Sequence, residues 1–183
     1  MAVTTVYLNA SVSGSVSTPN NALGVADSTF TTDSGNTDWT HRWGYADQSG
    51  LGSATGDQVF TIKAGKSAGN SDPTIDTVTI YQGGTSVYTI STGWTITGTQ
   101  DVVITATGIT GSLADIDIEI VTSGVGGPPA ARASVIIDAV HWDAQYSSGS
   151  VEPISGTITS NYTTSGTLTG KAKLVAHADF NDN

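Results

Sequence analysis

The chain has 183 residues, six Lys or Arg against sixteen Asp or Glu, a net charge of −10 and no cysteine. Scattered cations make no basic stripe, which excludes nucleic acid held by counterion release and an anionic membrane surface. The missing cysteines exclude a disulfide scaffold, and a chain of this length needs none, because it can bury roughly 70% of its unfolded surface.

Polarity comes instead from 29 Thr and 22 Gly, with only 12% charged residues. Thr packs well on a pleated surface and Gly serves the turns between strands, so the composition reads as all-β. The first 14 residues lack the basic and apolar regions of a leader, and no run of 18 apolar residues is present.

In chain order, residues 3–16 read as one or two strands. Residues 17–39, with Pro19, Asn20, Asn21, Gly24, Asp33, Gly35 and Asn36, read as a long ordered loop. A short strand is expected around Trp43 and Tyr45, and another over 57–65. Two alternating runs flank Gln82-Gly83-Gly84-Thr85, the clearest hairpin signal in the chain. Further strands are expected near 94–97 and 101–107, and alternation runs from Leu113 to Val121. Gly126, Gly127, Pro128 and Pro129 break the sheet, and 134–146 forms the next strand. No stretch shows a 3.6-residue apolar period, so almost no helix is expected. Strands of five to ten residues with regular turns predict an antiparallel β-sandwich or jelly roll over 1–146. Residues 147–183 are poor in large apolar side chains and read as a small C-terminal extension, an arm or short strands.

The densest chemistry lies in IIDAVHWDAQY, residues 136–146. Strand alternation puts Ile137, Ala139, His141 and Asp143 on one face, and Ile136, Asp138, Val140, Trp142 and Ala144 on the other. Asp138 and His141 therefore make no pair. His141 and Asp143 share a face, about 7 Å apart. They could offer two metal ligands, but His41 and His177 are isolated, and a zinc site wants three or four. The plainer reading is a strand with Trp142 in the core and His141 and Asp143 toward solvent.

Asp115, Asp117 and Glu119 share a face and could hold calcium, but Ile116, Ile118 and Ile120 opposite explain the pattern as a half-buried strand. Asp179, Asn181 and Asn183 have calcium-loop spacing without the distal Glu, and residues 33–38 read as turn chemistry. No nucleophile motif, phosphate loop, dinucleotide fingerprint or glycosidase acid pair is present. No cofactor or metal is expected, and no catalysis. Trp39, Trp43, Trp94 and Trp142 are what a sandwich core needs, or a platform for sugars. Trp39 and Trp43 are the candidates for that platform, because they sit beside the irregular loop.

Three stretches together resemble a β-sandwich domain of structural proteins in tailed-phage virions. TPNNALGVADSTF, residues 18–30, is similar to an Asn-Ala-x-Gly-x-x-Asp loop near the start of those domains. Residues 60–90 are similar to their strand, loop, strand, Gly-turn, strand unit. SVIIDAVHWDAQY, residues 134–146, resembles their closing strand. Gln-Gly-Gly replaces the usual Asn-Gly, and His141 stands where an acid is common. The resemblance covers roughly 18–146. It implies a virion component without enzymatic activity, closest to a capsid decoration (cement) protein. Such a protein sits on the capsid exterior as a homotrimer and binds the major capsid protein. A tail or fibre module that binds carbohydrate or a receptor is the alternative.

Overall fold

The computed structural model describes residues 1–32, 38–125 and 132–147, together with the backbone of two short strands at 156–159 and 165–168. The chain divides into two units, Met1–Ser148 and Gly149–Asn183. The first is all-β, an antiparallel sandwich, and its one helical turn among the described residues is a 3₁₀ turn at Pro19–Ala22.

Its strands are β1 (Ala2–Gly14), β2 (Trp39–Tyr45), β3 (Gln58–Lys66), β4 (Thr74–Gln82), β5 (Thr85–Thr95), β6 (Gln100–Ala106), β7 (Ile116–Ser123) and β8 (Val135–Tyr146). Hydrogen bonding follows the order β5-β4-β7-β2-β1-β8-β3-β6. The second unit contributes a separate antiparallel pair, β9 (Gly156–Thr159) and β10 (Ser165–Leu168).

β1 is the corner of the sandwich. Its first half, Ala2 to Tyr7, pairs with β8, and its second half, Leu8 to Gly14, pairs with β2 through two irregularities. Strands that change sheets do so at bulges and bends of this kind. The front sheet is thus β1-β8-β3-β6 and the back sheet is β1-β2-β7-β4-β5.

Alternation fills the space between them. Val6, Trp142, Phe60 and Ile104 form one inward row of the front sheet, and Trp43, Ile118, Ile80 and Tyr88 form one of the back sheet. Trp142 stacks on Phe60 at 5.8 Å, and Tyr45 of β2 meets both rings from the other sheet. The indole N–H of Trp142 donates to Gln58 Oε1 at 3.0 Å, and the Gln58 amide is itself buried and bonded to Gln145. A buried polar group is tolerated when bonded in this way.

The Gly83-Gly84 turn is as expected, with φ of +57° and +77°. Other boundaries move. Residues 94 and 95 belong to β5, so no separate strand covers 94–97. β7 starts at Ile116 because Asp115 takes a φ of +53°. The strand expected at 3–16 is single.

The alternation expected through 136–146 breaks at Asp138. Lys63 pairs with Ala139 and Ala64 with Ile137, leaving Asp138 as a bulge. Val135 and Ile137 therefore face inward before it, and Val140, Trp142 and Ala144 after it.

Among the described residues His41 is the one core-facing histidine, 2% exposed in the row Gly14, His41, Ile120, Val78 and Ile90. Nε2 lies 2.8 Å from Ser11 Oγ, and Nδ1 is buried with no partner among the described residues. Burial holds its pKa below the usual 6.5. The fold therefore keeps His41 neutral while the unfolded chain takes up a proton below that value. This contribution is intact above pH 6.5 and declines as pH falls toward the lowered folded pKa. Urea unfolding between pH 7.5 and 5 is expected to show a steeper stability loss for the wild type than for His41→Phe.

Candidate functional site

The loop of residues 18–32 takes the place that β1 vacates when it leaves the front sheet. Gly24 N–H donates to Leu8 O at 3.0 Å, where β1 turns away. Thr31 N–H donates to Ile137 O at 2.8 Å, and Ile137 N–H donates to Thr31 Oγ1 at 2.9 Å. The bulged Asp138, 1% exposed, accepts from the N–H groups of Asp27 at 3.2 Å and Ser28 at 2.9 Å. Ser28 sits at φ +69°, and its N–H is fixed by this carboxylate. Asp138 is therefore the anchor of the loop, not a member of a catalytic pair.

Asp138→Ala is expected to cost about 1–3 kcal/mol, the range for orphaned donors. A lower urea midpoint and faster proteolysis within 24–31 would register it. Asp138→Asn keeps an oxygen that accepts both bonds and is expected to recover most of the loss.

The two outer faces of the sandwich differ. On the back sheet Arg42, Asp117, Tyr81 and Glu119 satisfy one another. Arg42 donates to Asp117 Oδ2 from Nε at 2.8 Å and from a terminal nitrogen at 2.5 Å, and its guanidinium lies 3.8 Å from the Tyr81 ring centroid. Tyr81 donates to Glu119 at 3.2 Å, and burial together with that carboxylate pushes its pKa up. The row read as a calcium candidate is thus taken: Asp117 by Arg42, Glu119 by Tyr81. Asp115 lies outside the strand and is exposed. Among the described residues no three His, Asp or Glu side chains are grouped to hold a metal. Asp179, Asn181, Asn183 and His177 lie outside the described residues, as do 33–37.

The front sheet presents two adjacent rows, Tyr7-His141-Thr61-Val103 and Ala139-Lys63-Asp101. A third row, Thr5-Asp143-Val59-Thr105, lies beyond them, with Thr5 Oγ1 donating to Asp143 at 2.7 Å. The loop walls one end through Val25 and Ala26, and together they enclose a cavity of about 180 Å³. The Tyr7 and His141 rings lie 5.9 Å apart, tilted by 53°. Val103, 57% exposed, leaves an apolar patch beside them. The expectation that Trp142 packs inward while His141 and Asp143 face outward holds.

The expected sugar platform at Trp39 and Trp43 does not form. Trp39 is 3% and Trp43 0% exposed, packed edge to face at 6.0 Å. Their indole N–H groups donate to Val135 O and Pro19 O. Both rings point into the core because β2 alternates Trp39, His41, Trp43 and Tyr45 on its inner face. An open depression of about 380 Å³ does border Trp39, Asp38 and Asp76. Its acids are held already: Asp38 accepts from Gly124 N–H, and Asp76 from Thr74 and Ser123.

No protein-family model matches the chain, and no curated protein matches it. Among solved structures it is similar to the CBM36-1 domain of a multidomain xylanase from the hindgut metagenome of Trinervitermes trinervoides. That likeness has a TM-score of 0.37 and 15% identity, covering 80% of this chain and 98% of that one.

Proposed function

We propose that this chain is a virion structural protein without enzymatic activity, a capsid decoration protein that binds the outer head surface and stabilises it. One observation carries the reading. Two of the stretches that resemble phage sandwich domains, 18–30 and 134–146, are bonded to each other through Asp138. The resemblance thus falls on residues that make one structural unit, with β3, β4 and β5 supplying the third stretch. The partner is the major capsid protein, and the assembly is a homotrimer by analogy with such domains. The mechanism is mechanical. Interfaces of about 1,600 Å², repeated over a shell, add association free energy that resists internal DNA pressure.

Quantitative mass spectrometry of purified virions tests this directly. Hundreds of copies per particle, in fixed ratio to the major capsid protein, are the expected result. Absence from the particle would overturn the reading.

A second reading is a tail or fibre module that binds carbohydrate or a receptor. The outer face of the front sheet favours it, where Tyr7, Thr61, Lys63, Asp101 and His141 line one cavity, whereas Arg42, Asp117, Tyr81 and Glu119 of the back-sheet face are paired with one another. A few to a few dozen copies per particle would support it over decoration.

A further inference from the structure

We infer that the cavity on the front sheet is a subsite for one neutral sugar ring of a glycan. This rests on the second reading above and names its site and ligand class. The cavity is lined by Tyr7, Val25, Ala26, Thr61, Lys63, Asp101, Ala139 and His141. Its volume of about 180 Å³ is small beside pockets for drug-sized ligands, which run about 300–1,000 Å³. One ring fills it.

Five polar side chains converge there without a hydrogen bond or ion pair among the described residues: Tyr7, Thr61, Lys63, Asp101 and His141. Lys63 and Asp101 are directly opposite across β3 and β6, yet make no ion pair. Elsewhere the same protein pairs its cations readily, Arg42 with Asp117 and Lys66 with Asp72.

A ligand for this set must accept from an ammonium and donate to a carboxylate within one small volume. A hydroxyl does both, and a sugar ring carries several. Tyr7, its ring 5.9 Å from that of His141 and tilted by 53°, is the aromatic side chain for the C–H side of a sugar, and Val103 lies in the same sheet row. Anionic ligands are disfavoured, because one lysine stands against a chain of net charge −10. Among the described residues the sheet face continues beyond the cavity along Thr5, Asp143, Val59 and Thr105, so neighbouring sugars have somewhere to lie.

The test uses the full chain on an array of neutral and acidic oligosaccharides, then titration calorimetry with the best neutral binder. Lys63→Met, Asp101→Ala and Tyr7→Ala change outward-facing side chains, so each is expected to keep the wild-type melting temperature. Each is expected to weaken binding at least tenfold. Amide resonances of Tyr7, Lys63, Asp101 and His141 are expected to shift when that sugar is added to the wild type, a readout that needs no variant. Neutral-glycan binding that survives all three substitutions, with shifts elsewhere, would overturn the subsite and leave the carbohydrate reading standing. Binding restricted to sialylated or sulfated glycans would overturn the neutral class. A blank array would overturn the subsite and the carbohydrate reading together.

Discussion

Trp142→Ala is expected to lower the stability of the sandwich by about 3–5 kcal/mol, the range for truncating a buried aromatic. Three contacts set the size of the effect. The ring is fully buried in the centre of the front sheet, stacked on Phe60 and met by Tyr45 across the sandwich. Its neighbours Val6, Tyr45 and Phe60 sit on three different strands, so the core cannot collapse into the space by moving one of them. Its indole N–H is also one of the donors that fix the buried Gln58 amide. Gln58 Oε1 keeps its bond from Gln145 N–H, so the loss is mainly of packing. Trp94→Ala is the control. Trp94 lies half-buried on the edge strand β5, where relaxation is easy and a much smaller cost is expected. Urea unfolding followed by tryptophan fluorescence measures both. Equal midpoints for the two variants would refute this account of the core.

Gly14→Ala is expected to cost about 2–4 kcal/mol. Gly14 ends β1 at φ +139°, a conformation that side chains rarely adopt. A Cβ there would collide with the carbonyl oxygen of Thr40 and lie 2.5 Å from His41 Cα and His41 Nδ1. That same carbonyl accepts the Ser15 N–H at 3.0 Å, so the two backbones cannot part without losing the bond. Strained φ and forced overpacking each cost about 1–3 kcal/mol. Gly83→Ala is the comparison without a clash. Gly83 has φ +57° with nothing near its would-be Cβ, so only the conformational part applies, about 1–2 kcal/mol. Thermal denaturation of the two variants side by side is expected to show the larger loss for Gly14→Ala.

The fold class was legible because it rests on local signals. Ile116, Ile118 and Ile120 alternate with acids, and Gly83-Gly84 can only be a tight turn between strands. The fate of Trp39 and Trp43 was harder to read. They share a strand face with His41, and their place beside the irregular loop pointed to a binding surface. In the fold it is a core row, with Ser11 meeting one ring nitrogen. The Asp138 bulge depends on the loop bonded to it, more than a hundred residues earlier, and alternation alone carries no trace of it. The candidate site was dispersed for the same reason. Tyr7, Lys63, Asp101 and His141 come from four strands, and only the order β1-β8-β3-β6 brings them together. The outward direction of His141 was the one available clue.

β1 is held in common by both sheets, and this determines how the sandwich comes apart. Separating the layers means breaking one strand's bonds to β8 or to β2, and either step exposes Val6 and Leu8 from the centre of the core. Either opening therefore disturbs a strand on which both sheets depend. The β1 amide protons that bond to β8 or β2 are expected to exchange with solvent deuterium far more slowly than those of the edge strand β5, which exchange through local fraying.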